Sequence, residues 1–116
     1  SPQLPQSKEP QQKKGSLLLV DDEVYLRKAV KAYLEDRGYE VRTVGSAADA
    51  LREIRRNTPD LMIADITMPA VDGYQLVLQL RRYPEFVTLP VIFLTARGMV
   101  QDRIQGYQSG CDAYVT

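Results

Sequence analysis

Three carboxylates follow short apolar runs of the sequence at the point where each run ends. Asp21 and Asp22 come directly after the run 17–20, and Asp65 comes directly after the run 61–64. Such runs are typical of strands that are buried on both faces of a parallel sheet. In open α/β sheets, ligands bind beyond the carboxyl ends of the strands, where the strand order reverses. If the first and third strands are neighbours, the three carboxylates meet at that edge.

Carboxylates that lie this close together repel each other, so the cluster predicts a bound cation. Two carboxylates about 5 Å apart repel by roughly 3 kcal/mol at an effective dielectric constant near 20. Mg²⁺ offsets such repulsion, and it prefers one or two carboxylates, several waters and often a phosphate oxygen. The sequence has no histidine and one cysteine, which disfavours a site for a softer metal. We therefore predict a Mg²⁺ or Mn²⁺ site.

Each of these residues also has a simpler interpretation when it is taken alone. An aspartate at a strand end is more often a turn former or a helix cap, and Asp22 is a candidate cap for the first helix. Thr95 ends the run 91–94 and places a hydroxyl at the same edge, but threonine also simply favours strands. The metal prediction therefore depends on the combination of residues and their spacing.

The elements that position these residues alternate along the chain between apolar runs and amphipathic stretches. Strands are predicted over 17–20, 40–44, 61–64, 91–94 and 113–116. Helices are predicted over 24–37, from Ser46 onward, over about 73–82, and through Val100, Ile104 and Tyr107. Such alternation predicts an α/β fold with a parallel sheet and helices on both faces. With the first and third strands as neighbours, as in flavodoxin-like folds, this is a three-layer sandwich whose five-stranded sheet has the order 2-1-3-4-5.

Three local patterns support the helix assignments. One face of the first helix carries the apolar residues Leu26, Ala29, Val30, Tyr33 and Leu34. Gly38 is suited to end that helix, because glycine tolerates a left-handed cap. Ser46 with Asp49 resembles a capping box at the start of the second helix.

Composition bounds the function further. The 116 residues suffice for one domain, and Lys plus Arg equals Asp plus Glu at 15 each, which disfavours direct nucleic acid binding. No apolar run approaches the roughly 20 residues of a membrane span, and no signal peptide is recognisable, so we expect a cytoplasmic protein. Residues 1–15 are rich in Pro, Gln and Lys and predict a flexible tail before a domain over 16–116.

Four segments together resemble the receiver domains of response regulators in two-component signalling. They are LLLVDDE (17–23), LMIADITMPAVDG (61–73), FLTAR (93–97) and GCDAYV (110–115). The resemblance covers about residues 16–116. It implies that Asp65 accepts a phosphoryl group, and that Asp22 and Asp65 bind Mg²⁺ directly. The backbone carbonyl of Thr67 is then a third protein ligand, and Asp21 acts mostly through a metal-bound water.

The resemblance also implies a switch, and it implies partners. Thr95 turns toward the phosphoryl oxygens, and the Tyr114 side chain changes its burial in step. The phosphoryl donor is a histidine kinase or a phosphotransfer protein, since this chain has no histidine of its own. The output is a changed surface on the fourth helix and fifth strand, through which a homodimer is one expectation, or a following effector such as a DNA-binding domain. A receiver of this kind is a switch rather than an enzyme.

One departure from the family pattern keeps an alternative open. Receiver domains carry a lysine just after the fifth strand and then a last helix, whereas the sequence given stops at Thr116, so we expect it to be incomplete at this end. The alternative is a pseudo-receiver, an interaction module without phosphotransfer.

A phosphatase that uses an aspartyl phosphate is disfavoured, because such an enzyme has an acidic residue at the position that Thr67 occupies here. A nucleotide enzyme is disfavoured too, because no glycine-rich phosphate loop is present.

Overall fold

The computed structural model describes residues 14–65 and 73–94, and the backbone of 113–115. The strands are β1 (Ser16–Val20), β2 (Glu40–Val44), β3 (Leu61–Asp65), β4 (Val91–Leu94) and β5 (Ala113–Val115). The helices are α1 (Val24–Asp36), α2 (Ala47–Arg56) and α3 (Gly73–Leu80), followed by a short 3₁₀ helix (Pro84–Phe86). The tail predicted over 1–15, apart from its last two residues, and the helix predicted through Ile104 lie outside the described residues.

The strands form one five-stranded sheet in the order β2-β1-β3-β4-β5, and every neighbouring pair is parallel. The predicted fold class and strand order are therefore confirmed. The register aligns Val20 at the end of β1 with Val44 of β2 on one side and Ala64 of β3 on the other. The carboxyl ends of these three strands consequently lie level at one edge of the sheet.

One hydrophobic core lies between the sheet and the helices α2 and α3. Successive strand residues point to opposite faces, so alternate residues of β1, β3 and β4 enter this core. Its members are Leu18, Val20, Ala47, Ala50, Ile54, Met62, Ala64, Tyr74, Leu76, Val77, Leu80, Phe86, Leu89, Val91 and Phe93. The rings of Tyr74 and Phe93 meet edge to face, with their centroids 5.0 Å apart. This core fixes α3 against β4 beside the candidate site.

The other face of the sheet carries α1, and here the packing departs from the sequence pattern. Leu17, Leu19 and Val41 are buried in β1 and β2, against which α1 packs. None of the α1 residues is itself buried, and Tyr33 is 57% exposed. The apolar residues predicted for one face of α1 are therefore half-buried or exposed. Nothing in the described part of the chain covers the outer side of this helix.

The helix ends show which backbone groups are satisfied by side chains and turns. Glu23 is the N-cap of α1, so the suggestion that Asp22 caps this helix is wrong. At the other end, Gly38 has a φ of +99°, its N–H donates to the Glu35 carbonyl, and the N–H of Tyr39 donates to the Leu34 carbonyl. This is the left-handed glycine cap that the sequence predicts.

The cap of α2 follows the predicted pattern as well. Ser46 Oγ accepts a 3.1 Å hydrogen bond from the backbone N–H of Asp49, which is one half of the predicted capping box.

In the described ranges, no helix combines the length and the apolar character that a membrane crossing requires.

Candidate metal centre at the carboxyl edge of the sheet

The candidate site forms where β1 and β3 end side by side. Because Val20 pairs with Ala64 in the parallel register, the next residues along the two strands, Asp21 and Asp65, come out at the same level. Asp22 follows Asp21 directly. Ligand atoms of the three aspartates all lie within 4.8 Å of one another. The structure thus brings together the three carboxylates that the sequence singled out.

Asp21 is held by hydrogen bonds from its own turn and from its neighbours. Its side chain is buried, and its Oδ1 accepts a 2.9 Å hydrogen bond from the backbone N–H of Glu23. Its backbone N–H donates to the carbonyl of Val44 at 3.1 Å, which ties the site to β2. Its backbone carbonyl accepts a 2.7 Å hydrogen bond from Nη1 of Arg27. The carboxylate therefore has a fixed orientation at the floor of the site.

Burial and neighbouring negative charges oppose the ionisation of the Asp21 carboxyl group. Burial raises the pKa of its carboxyl group above the usual value of 3.8, and the nearby charges of Asp65 and Asp22 raise the pKa further. The hydrogen bond from the Glu23 N–H and the positive charge of Arg27 act in the opposite direction and lower the pKa. The net pKa shift is upward, which means that the negative charge of Asp21 is unfavourable in the free site. A cation bound beside Asp21 offsets this unfavourable charge.

The three aspartates form a gradient from the protein interior to solvent. Asp21 is buried, Asp65 is half-buried and Asp22 is exposed. Only oxygen ligands are present in this cluster, and a hard cation such as Mg²⁺ prefers oxygen ligands and retains several waters. The open side next to Asp22 leaves room for those waters. The residues present therefore fit a Mg²⁺ or Mn²⁺ ion.

The other predicted site residues have a different status. Thr67 and Thr95 lie outside the described residues. Tyr114 belongs to β5, where its backbone pairs with Phe93 of β4, but its side chain lies outside the described part of the chain. The roles of these three residues therefore remain predictions.

The sequence reasoning missed one residue that touches the site. Arg27 lies in the first turns of α1, and its guanidinium reaches back to the Asp21 carbonyl. The spacing held a signal, because a long side chain one helical turn beyond a helix N-terminus can fold back over that end. Other arginines hid it, since five of the eight in the described ranges are exposed, namely Arg37, Arg52, Arg55, Arg56 and Arg82.

The sequence matches a model of one known protein family. The family model described as "Response regulator receiver domain" matches residues 17–116. This range contains all the residues that the sequence assigned to the site.

Individual relatives agree with the family match. Response regulator Rre1 of Synechocystis sp. is 53% identical over 102 residues, which make up 87% of this chain and 44% of that protein. Transcriptional regulatory protein AfsQ1 of Streptomyces coelicolor is 38% identical over 100 residues, 86% of this chain and 43% of that protein. The chain thus spans less than half the length of these two relatives.

Solved structures show the same fold. The chemotaxis protein CheY4 of Vibrio cholerae superposes with a TM-score of 0.83 at 28% identity, covering 87% of this chain and 84% of that one.

Proposed function

Because this chain belongs to the response regulator receiver domain family, we propose that Asp65 accepts a phosphoryl group from a phosphorylated histidine of a partner kinase. The reaction depends on Mg²⁺ held at the cluster of Asp21, Asp22 and Asp65. The phosphorylated receiver then changes an output surface or a following effector domain. A histidine kinase or a phosphotransfer protein is the partner, and the chain acts as a switch rather than as an enzyme.

One observation carries this proposal, namely the convergence of three carboxylates at the end of β1 and β3. Their ligand atoms lie within 4.8 Å of one another, and Asp21 is buried. Such an arrangement costs free energy in the absence of a cation, since like charges at this distance repel by about 3 kcal/mol at an effective dielectric constant of 20. A module that served only for protein interaction gains nothing from this repulsion between carboxylates. The cluster therefore favours phosphotransfer over the pseudo-receiver alternative.

Asp65 is the nucleophile in this proposal. One of its carboxylate oxygens attacks the phosphorus atom and forms the P–O bond of an acyl phosphate. The P–N bond of the phosphohistidine breaks, and its electron pair stays on the imidazole nitrogen, which then takes a proton from solvent. Asp65 is half-buried at the end of β3, so it is accessible from the edge of the sheet while its backbone is fixed between β1 and β4.

The neighbouring carboxylates prepare the site for this step. Bound Mg²⁺ supplies positive charge that offsets the charge of the aspartates and of the transferred phosphoryl group. Asp22, which is exposed, would contact the ion directly, whereas Asp21, which is fixed by the Glu23 N–H, would act mostly through water. The structural fixing of Asp21 reduces the reorganisation that the transfer requires.

Three further residues extend the proposal beyond the described site. The backbone carbonyl of Thr67 is a third protein ligand for the ion. Thr95 follows β4, which is aligned with β3 so that Leu94 lies opposite Asp65. Its hydroxyl then contacts the phosphoryl oxygens, and the side chain of Tyr114 in β5 responds to that contact. A homodimer through the fourth helix and the fifth strand is one form of output.

The function of a longer protein that carries this domain is proposed from its relatives. AfsQ1 is named a transcriptional regulatory protein, and less than half of its length is matched by this chain. We propose transcription regulation through a separate effector domain, in the cytoplasm. The equal numbers of acidic and basic residues favour an effector rather than this domain as the DNA-binding part.

Phosphoramidate tests the proposed transfer chemistry, because its P–N bond matches that of phosphohistidine. We expect the chain to gain one phosphoryl group in Mg²⁺, and to lose it in neutral hydroxylamine, which cleaves acyl phosphates but not phosphoserine or phosphothreonine. Chelation by EDTA and the substitution Asp65→Asn should each prevent the gain. Asp60→Asn is a matched control, because Asp60 lies at the opposite end of β3, where it accepts a hydrogen bond from the Ser16 N–H. A phosphoryl group that resists hydroxylamine would contradict the proposal.

A further inference from the structure

Arg27 joins the candidate metal centre to α1, and no part of the proposed chemistry uses this residue. We propose that Arg27 is a positioning residue: its guanidinium, seated against Gly45, holds the turn of Asp21, Asp22 and Glu23 in the conformation that binds the divalent cation. This inference rests on the metal site of the proposed function and extends it by a residue from outside the acidic cluster.

Arg27 contacts both ends of the turn that carries the metal-binding carboxylates. Its Nη1 donates a 2.7 Å hydrogen bond to the carbonyl of Asp21, and its backbone N–H donates a 3.0 Å hydrogen bond to the carbonyl of Glu23. Asp22, the exposed carboxylate of the cluster, lies between these two anchored residues. The side chain of Arg27 therefore ties Asp21 to the first turns of α1, while Glu23 is held by the helical backbone hydrogen bond from residue 27.

The guanidinium of Arg27 packs directly against Gly45. A Cβ atom built at this glycine would lie 2.9 Å from Nη1 of Arg27, closer than real Cβ contacts. Residue 45 follows directly after β2, and the carbonyl of Val44 accepts the hydrogen bond from the Asp21 N–H. The absence of a side chain at this position thus lets Arg27 reach the Asp21 carbonyl across the end of β2.

The guanidinium of Arg27 bonds to the Asp21 carbonyl rather than to a carboxylate. Within the described residues Arg27 forms no salt bridge with a carboxylate, whereas Arg52 and Arg56 pair with Asp49 and Glu53. A charged donor makes a stronger hydrogen bond to a carbonyl than a neutral donor does. Arg27 and Gly45 also line a cleft of about 520 Å³ between the end of β2 and α2. A shorter side chain at position 27 therefore leaves room for water, which replaces the hydrogen bond but not its geometry.

The affinity for Mn²⁺, measured by electron paramagnetic resonance of the free ion, tests the inference without requiring phosphotransfer. We expect Arg27→Met to weaken Mn²⁺ binding about tenfold, the equivalent of one charge-assisted hydrogen bond of about 1.4 kcal/mol. Arg27→Lys keeps a positively charged donor and should restore binding to within about threefold of the original chain. A residue with a purely structural role would not be rescued in this way.

Gly45→Ala tests the seat of the guanidinium with Arg27 still in place. The added methyl group should displace Nη1 and weaken Mn²⁺ binding about threefold. In the Arg27→Met background the same change should have no further effect, because the displaced group is already gone. If Arg27→Met does not fold, Arg27→Gln takes its place, since an unchanged Mn²⁺ affinity for a folded variant that lacks the guanidinium would overturn the inference.

Arg81 provides a matched control on the opposite side of the domain. Its Nη1 also donates to backbone carbonyls, those of Phe86, Val87 and Leu89. Arg81→Met should lower the thermal stability while leaving the Mn²⁺ affinity unchanged. Equal Mn²⁺ affinities for the original chain and Arg27→Met would overturn only this inference. Absence of Mn²⁺ binding by the original chain would overturn the proposed metal site and this inference together.

Discussion

The carboxylate oxygens of Asp21 and Asp65 lie within 4.8 Å of each other at the carboxyl edge of the sheet. The register of β1 with β3 produces this proximity, because Val20 and Ala64, the residues that precede them, are partners. Both preceding residues are buried in the core. The sheet and its core therefore hold two like charges together, and the free energy for this comes from packing elsewhere in the domain.

We expect Asp21→Asn to stabilise the metal-free chain. The amide oxygen of asparagine still accepts the hydrogen bond from the Glu23 N–H, while the repulsion from the other two carboxylates is removed. The free energy of unfolding should rise by about 1 to 3 kcal/mol, as expected for one close pair of like charges. Urea unfolding in EDTA measures this change, and Asp36→Asn, at an 85% exposed side chain, should leave the free energy of unfolding unchanged.

The same substitution should alter the dependence of stability on pH. Because the pKa of Asp21 is raised above its usual value of 3.8 in the folded chain, its contribution to stability is full below that value. This contribution is lost as the pH rises through the raised pKa. Subtracting the pH profile of Asp21→Asn from that of the original chain should reveal the loss. A difference that grew with rising pH in favour of the original chain would contradict the assignment.

Glu53 should show the opposite dependence on pH. Hydrogen bonds from Arg56 and then from Arg42 lower the pKa of its carboxyl group below the usual value of 4.5. Its contribution to stability is therefore present above that value and lost as the pH falls through the lowered pKa. Urea unfolding of Glu53→Gln against the original chain should show a difference at pH 7 that disappears in acid. Added salt should reduce the difference at pH 7, because the Arg56 side chain of this network is 70% exposed.

Two leucines of α3 should differ in their contribution to the core. Leu80 is fully buried against the sheet, whereas Leu78 on the same helix is 43% exposed. Leu80→Ala should lower the free energy of unfolding by about 2 to 5 kcal/mol, because it removes buried methyl groups and leaves a cavity. Leu78→Ala should lower it by less than about 1 kcal/mol. Equal losses measured by urea unfolding would show that α3 packs differently from the described arrangement.

The strands β1, β3 and β4 were predictable because each is a short apolar run, and the parallel sheet follows from the alternation of strands with helices. The sequence also predicted the acidic cluster, because Asp21 and Asp65 each follow such a run. Ends of elements were harder. Glu23 caps α1 in place of Asp22, because its side chain accepts a hydrogen bond from the Tyr25 N–H while the Glu23 N–H donates to Asp21. Two adjacent acidic residues can each fill this role, so the sequence pattern did not decide between them.

Contacts between side chains and distant backbone are only weakly indicated by the sequence pattern. The amphipathic pattern of α1 indicates a face that needs a covering, but it does not say which residues provide the covering. Arg27 could be assigned to the site only when the end of β2 and its Gly45 were placed next to the Asp21 turn. Thr67, Thr95 and Tyr114 are assigned by the family resemblance, and their roles stay predictions.

The intact mass of the chain after incubation with acetyl phosphate and Mg²⁺ tests the central claim most directly. We expect the addition of a single phosphoryl group in Mg²⁺, none in EDTA, and none for Asp65→Asn. Asp36→Asn, with its exposed carboxylate on α1, should be phosphorylated like the original chain. Addition of a phosphoryl group to Asp65→Asn, or no addition to an original chain that binds Mn²⁺, would contradict the claim that Asp65 is the phosphoryl acceptor.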